Sequence, residues 1–386
     1  MPSMTERETA PQFFPVLESL RGIAALIVVL YHVTWRTHFS HWGLVRNGYL
    51  MVDFFFVLSG FVIFHAYGDR IAKVSDLWRF LVSRFFRLYP LHLATLLCFL
   101  LIEIAKWTVV RFQVAQIASA PFSTNNAGSF FANLLMLQGF GFSGEPAWNV
   151  PSWSISVEFW IYILFAWLVL AAHRFDGRFA QGALQAGATM LLLVGLLTTY
   201  QIVHGLTAVG HFAFFRGLLG FFSGVWMRWL YAVLRVRRFD PKLLSFALSA
   251  AGLIALAFLF MKQSGPSDLL CIPLFSAIVL IAALGGNNAP RLLRNPHLLA
   301  IGTISYSIYM VHAALAWCFE FALQYVARLP REQFYSTGPW VGDLLALVFV
   351  ALVIATAHIT FRYIEMPGRK LAKMGPKRPV AKAAGA

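Results

Sequence analysis

Ten apolar stretches divide the chain, at roughly 14–35, 48–67, 89–110, 153–172, 183–203, 212–231, 243–262, 269–286, 299–325 and 340–364. About 20 consecutive apolar residues let an α-helix cross the hydrocarbon core of a bilayer. The pattern therefore predicts an all-α fold, a polytopic transmembrane bundle of about ten spans. Region 128–142 is apolar but short and punctuated by glycines, which suits a partial or surface-lying helix. The expected organisation is an N-terminal segment 1–12, one membrane domain over 13–368 and a basic, disordered tail over 369–386.

Composition supports this class. The 386 residues are 59% hydrophobic and 12% charged, with a mean hydropathy of +0.69, whereas soluble domains carry roughly 25% charged residues. A net charge of +15 could suggest nucleic acid. The basic residues instead cluster between apolar stretches, where they orient helices, so nucleic acid is not an expected partner. With the N-terminus inside, 21 Lys and Arg fall in inside segments and six outside, which places both termini in the cytoplasm. Cys98, Cys271 and Cys318 lie within apolar stretches without metal-like spacing, so neither a disulfide framework nor a metal site is expected. The N-terminus lacks the pattern of a cleaved signal peptide, and the first stretch should remain in the membrane.

Against this background, ionisable residues inside apolar stretches carry the chemical information, because each is costly in lipid. The first stretch contains Glu18, Arg21 and, deep inside, His32. At about 100° and 1.5 Å per residue, Arg21 and His32 share one helical face, roughly 16 Å apart. His32 is either a structural hydrogen-bonding residue or a general base for a hydroxyl nucleophile. Arg21 snorkels, pairs with Glu18 or holds an anion. In WRFLVSRFFRLYP, Arg84 and Arg87 share a face just inside the membrane. Alone they read as membrane anchors, but arginine forks also suit phosphate. Glu158 lies within the fourth stretch and Asp53 near the outer end of the second, where the step Leu58-Ser59-Gly60 permits close helix approach or a local break. Ser305, Tyr309 and His312 share a face of the ninth. Glu365 closes the last stretch, where Pro367 is expected to end the helix.

The ordered segments LESLRGIAALIVVLYH, VDFFFVLSGFVI, RFFRLYP, PSWSISVEFWIY, SYSIYMVH and FRYIEMPGRK resemble those of the acyltransferase family 3 integral-membrane acyltransferases, over about residues 13–372. The family pattern of an arginine, ten residues and a histidine is matched by Arg21 and His32. Its paired arginines correspond to Arg84 and Arg87, and its helix carboxylate to Glu158. Glu18 stands where an aspartate is usual. The resemblance implies transfer of an acyl group, most often acetyl, from cytoplasmic acyl-CoA to a carbohydrate hydroxyl, in a bacterial inner membrane. Acyl-CoA is then a donor substrate rather than a bound cofactor. His32 becomes the general base or an acyl-carrying nucleophile, and Glu158 orients it, stabilises its charge or positions the acceptor. Arg84 and Arg87, with Arg21, would dock the donor's phosphates. Membrane lipid, the carbohydrate acceptor and a homodimer or glycan-export proteins are the partners this implies. The competing class is a proton-coupled transporter or flippase relaying protons through His32, Glu158 and Asp53. Transporters often carry internal repeats, and the two halves of this sequence show no convincing similarity.

Overall fold

A computed structural model describes residues 13–113, 120–142, 146–175, 177–200, 206, 210, 212–237, 239–262, 265–323 and 338–372. The expected N-terminal segment 1–12 and the part of the basic tail beyond 372 lie outside the described residues. The main helices are α1 (Pro15–Tyr31), α2 (Met51–Tyr67), α3 (Val74–Arg111), α4 (Ala127–Leu134), α5 (Trp153–Ala172), α6 (Gly177–Thr198) and α7 (Ala213–Leu234). They continue with α8 (Pro241–Met261), α9 (Cys271–Gly285), α10 (Pro296–Thr303), α11 (Ser305–Phe321), α12 (Pro339–Thr360) and α13 (Met366–Leu371). Among the described residues, eight helices are long and apolar enough to cross a membrane, or nine if the bent pair α10–α11 counts as one span. The apolar α1 is shorter, at 17 residues.

The periphery is apolar, the reverse of a soluble protein. Leu253 and Ile254 on α8, and Leu344, Leu347 and Val348 on α12, are exposed, as lipid-facing residues should be. Burial alone cannot hold helices together in lipid, so close backbone approach matters. Gly60 of α2 and Gly224 of α7 supply it: a Cβ on either would collide with a backbone carbonyl, of Phe221 and of Val57 respectively. The Leu58-Ser59-Gly60 step therefore serves close approach, with α2 unbroken through it. The loop between α3 and α5 is tied down by Glu103, which accepts hydrogen bonds from Lys106 Nζ (2.8 Å), the Phe122 N–H (2.7 Å) and Asn125 Nδ2 (2.9 Å). The partial helix expected in region 128–142 is α4 and a short 3-10 turn at Gln138–Phe140.

Four elements depart from the sequence expectations. First, α3 does not begin near residue 89 but runs for 38 residues, carrying Arg84 and Arg87 in the same helix as the third span. Pro90 lies inside it; proline removes a helical N–H and crowds the carbonyl four residues earlier. That carbonyl, of Phe86, lies against Gly368 of α13, where a Cβ would approach it to 2.7 Å. Second, Pro367 does not end the last helix: a π-helical turn at Phe361–Glu365 precedes it, and Pro367 then occupies the first turn of α13, where no N–H is required. Third, α1 stops at Tyr31, so His32 is the residue closing the helix and its N–H bonds back to the Val28 and Val29 carbonyls. It is a terminal residue of the span, not one at mid-helix. Fourth, the ninth span is two helices bent by 67° around Ile304.

The bend in that span is built against α1. A Cβ on Gly302 would overlap the Glu18 carbonyl, and one on Gly22 would sit 2.7 Å from the Gly302 nitrogen. Gly302→Ala should therefore lower the thermal midpoint in detergent by several degrees, since overpacking a close contact typically costs about 1–3 kcal/mol. An unchanged midpoint would mean that α1 and α10 separate freely.

Candidate active site

Breaking a helix leaves carbonyls without partners at its end. Here Arg21 reaches across from α1 to fill that need: Nη2 donates to the Gly302 carbonyl at 3.2 Å and Nε to Ser305 Oγ at 2.9 Å. The same guanidinium pairs with Glu18, one turn earlier, at 2.5 Å. Of the readings open from sequence, local pairing is realised, together with capping of the broken span. Arg21 also lines a cavity, within reach of any anion bound there.

That cavity encloses about 350 Å³ between α1, α2, α3, α5, α11 and α13, within the size range of small-molecule sites. Its wall gathers residues from sequence-distant segments: Glu18 and Arg21, Arg84 and Arg87, Glu158, Ser305, Tyr309 and Arg369. Glu158 is held from α2 and from its own helix. Ser59 Oγ donates to its Oε1 at 2.7 Å, Tyr162 donates to the same oxygen, and Ser59 and Tyr162 are 2.9 Å apart. Arg84 stacks over the Tyr67 ring at 5.4 Å, and its Nε is buried without a hydrogen-bond partner. Arg87 makes no hydrogen bond to any described residue. A second cavity, of about 410 Å³, adjoins the first at Arg84, Arg87 and Arg369, with Tyr67, Ser83 and Lys370 among its other walls. Four cations and no carboxylate line it, which suits a polyanion.

Arg369 was not singled out by the sequence, yet it joins both cavities. It pairs with Glu365, which is fully buried and also accepts from Ser307 Oγ at 2.8 Å. Glu365 thus acts behind the cavity wall, aiming Arg369 from the π-turn. Tyr162 and Ser59 were missed as partners of Glu158. The four-residue spacing of Glu158 and Tyr162, and of Glu365 and Arg369, is the signal that could have found two of these contacts.

Besides Glu365, three sequence candidates lie outside the cavity wall: Asp53, His32 and His312. Asp53 is fully buried in a bidentate pair with Arg216, Nε to Oδ1 at 2.9 Å and Nη2 to Oδ2 at 2.7 Å, and Arg216 also donates to the Tyr49 carbonyl. His32 also lies off the wall, beyond Tyr309. Its ring packs 4.7 Å from that of His312, which in turn lies 5.7 Å from Tyr309 on the cavity wall. Tyr309 is fixed by its hydroxyl, which donates to the Pro151 carbonyl at 2.8 Å and meets Ser154 Oγ at 2.8 Å. Asn149, at the end of the outer loop, donates to the Met310 carbonyl at 3.0 Å and braces the same face of α11. The face expected from Ser305, Tyr309 and His312 is therefore split. Ser305 binds Arg21, Tyr309 walls the cavity and His312 reaches His32.

Comparison with known proteins gives a consistent result. The Acyltransferase domain family matches residues 14–359. Acyltransferase MdmB of Streptomyces mycarofaciens is 27% identical over 401 residues, covering 96% of this chain and 94% of its own length. O-acetyltransferase OatA of Staphylococcus aureus (strain NCTC 8325 / PS 47) is 23% identical over 381 residues, covering 95% of this chain. The chain spans 58% of the length of the Staphylococcus aureus relatives it matches. No solved structure matches it.

Proposed function

Because this chain belongs to the acyltransferase domain family, we propose that it is a membrane O-acyltransferase. It moves an acyl group, acetyl in the simplest case, from acyl-CoA to a hydroxyl of a carbohydrate. The observation that carries this reading is the pair of adjoining cavities: a cation-lined one that suits phosphates, opening at Arg84, Arg87 and Arg369 into one walled by Glu158 and Tyr309. The coenzyme's phosphates sit among the cations. The narrower pantetheine arm extends into the neighbouring cavity and brings the thioester towards Tyr309 and the histidines behind it. Glu158, held by Ser59 and Tyr162, balances the arginines and positions the acceptor. The charge distribution along the sequence supports a cytoplasmic location for both termini and for the cation-lined cavity, on the side where acyl-CoA is made. Its long apolar helices support a multi-pass membrane protein, and the bacterial inner (plasma) membrane is the location we propose.

In the transfer step the hydroxyl oxygen of the acceptor attacks the thioester carbon while His32 takes the hydroxyl proton. The C–S bond breaks, and the proton returns to the departing sulfur as the free thiol. His32 Nδ1 lies 2.8 Å from the Val28 carbonyl. A carbonyl only accepts, so the ring proton resides on Nδ1 and Nε2 keeps the lone pair that a base needs.

A transporter or flippase is favoured by one feature, the broken span α10–α11, since such breaks often mark transport sites. Purified protein in detergent, given radiolabelled acetyl-CoA and a carbohydrate acceptor, separates the two readings. We expect label in the acceptor; binding or movement of glycan without transfer would overturn the enzyme reading. Arg87→Ala should raise KM for acyl-CoA roughly tenfold or more, as loss of a charge-assisted hydrogen bond does, and change KM for the acceptor little. The reverse pattern would remove the phosphate role from Arg87.

A further inference from the structure

The cavity that holds Glu158 has two chemically different ends. Val52, Phe55, Ser59 and Ile63 of α2 line it at spacings of three and four residues, so one face of that helix follows it for about 16 Å. Near the middle, Ser59 Oγ holds Glu158. About two turns further along α2 lies Tyr67, over whose ring Arg84 of the cation cluster stacks. In the opposite direction lies Phe55, whose ring meets that of Tyr309 edge-on, with centroids 6.0 Å apart. Val52, Phe56 and, a turn before Glu158 on α5, Ile155 complete this far end.

The far end is apolar, and its two hydroxyls are already engaged. Tyr309 Oη and Ser154 Oγ lie 2.8 Å apart, and each is within hydrogen-bond reach of the Pro151 carbonyl, at 2.8 and 3.2 Å respectively. A sugar placed here would leave hydroxyls without partners, a cost that an alkyl group does not incur. Phe56 is a fixed wall: it is buried, its ring lies 6.1 Å from that of Trp153, and a Cβ on Gly220 of α7 would come within 2.7 Å of the Phe56 Cβ. Phe55, by contrast, is only half-buried where it lines the cavity.

We propose that the end formed by Val52, Phe55, Phe56 and Ile155 is the acyl-chain pocket of the donor, and that Phe55, as its floor, limits the length of chain accepted. This rests on acyl-CoA as the donor. With the phosphates at Arg84, Arg87 and Arg369, the pantetheine arm follows the α2 face past Ser59 and sets the thioester near Tyr309. The part of the donor beyond the thioester is then an alkyl chain, and it meets a stretch of wall whose polar groups are already paired. Each methylene buried there contributes about fourfold to affinity where space for it exists, and the Phe55 ring takes that space from longer chains.

The test needs no acceptor: CoA, acetyl-CoA and butyryl-CoA are titrated against the purified full chain in detergent. The ratio of the Kd for CoA to that for an acyl-CoA isolates the acyl group, because the phosphates and the arm are common to both. The native protein should bind acetyl-CoA more tightly than butyryl-CoA. Phe55→Ala should tighten butyryl-CoA relative to acetyl-CoA by about tenfold, the scale of two buried methylenes, and leave the Kd for CoA unchanged. Phe55→Leu, which keeps an apolar side chain against Tyr309, should move the ratio the same way by a smaller factor, and it decides the matter if Phe55→Ala does not reach the membrane. An unchanged butyryl-to-acetyl ratio in the variants would overturn the acyl pocket and leave the donor reading intact. So would weaker binding of CoA itself, which would place Phe55 against the arm, or a native protein that takes butyryl-CoA as tightly as acetyl-CoA. If the native protein binds none of the three, acyl-CoA is not the donor, and the pocket falls with the reading it rests on.

Discussion

Acyl transfer should fall by about a hundredfold to ten-thousandfold in His32→Ala, the range that a general base contributes, while the protein still reaches the membrane. The second half of that expectation follows from where the ring sits. His32 closes α1, is partly exposed, and its backbone N–H bonds to Val28 and Val29 survive any side-chain change. Its side chain makes one hydrogen bond, to a carbonyl of its own helix. Removing it leaves no buried charge and opens no deep cavity. Label transfer from acetyl-CoA to acceptor, measured against membrane yield and thermal midpoint, is the test. Near-normal product would remove His32 from the chemistry.

The largest stability effect is expected at a residue outside the reaction. Arg216→Ala should destabilise the bundle by about 3–5 kcal/mol, the cost of stranding one member of a buried ion pair. Asp53 and Arg216 are 0% and 1% exposed, so neither charge has water to fall back on. Arg216 also stacks over the Trp153 ring at 5.1 Å and bonds the Tyr49 carbonyl, linking α7 to α2 and to the start of α5. The double change Asp53→Leu with Arg216→Met removes both charges together. It should cost less than either half of the pair removed alone, since what destabilises is the uncompensated charge. Thermal unfolding of the three variants in detergent gives the comparison. Equal losses for the double and single variants would mean that packing, not charge, decides. The pair also bears on the transport reading, because a carboxylate held by two guanidinium bonds is poorly suited to carry protons through a relay.

Several site residues were legible one at a time. Glu158 and Arg21 drew attention because charge inside an apolar stretch is costly, and both line the cavity. Asp53 drew attention for the same reason, and its cost is met by Arg216, 163 residues away in sequence. The sequence signal was the same in both cases: it reports that a charge needs a partner, and not whether that partner is a substrate or another helix. The break in the ninth span was hidden for a related reason. Ile304 is no helix breaker, and the bend depends on Arg21 arriving from α1 to satisfy Gly302 and Ser305.

What the sequence determined by itself is the set of elements, because the bilayer selects on local composition: length and apolar content decide which stretches can form membrane-crossing helices. It also placed Arg21 and His32 on one face of α1, since helical periodicity is a local property. Only the tertiary structure decided that these two residues meet different surroundings, Arg21 at the cavity and the broken span, His32 beyond Tyr309 beside an unpaired His312. Which charge faces a neighbour and which faces a cavity depends on helices far apart in the chain packing side by side, and no local rule of spacing carries that information.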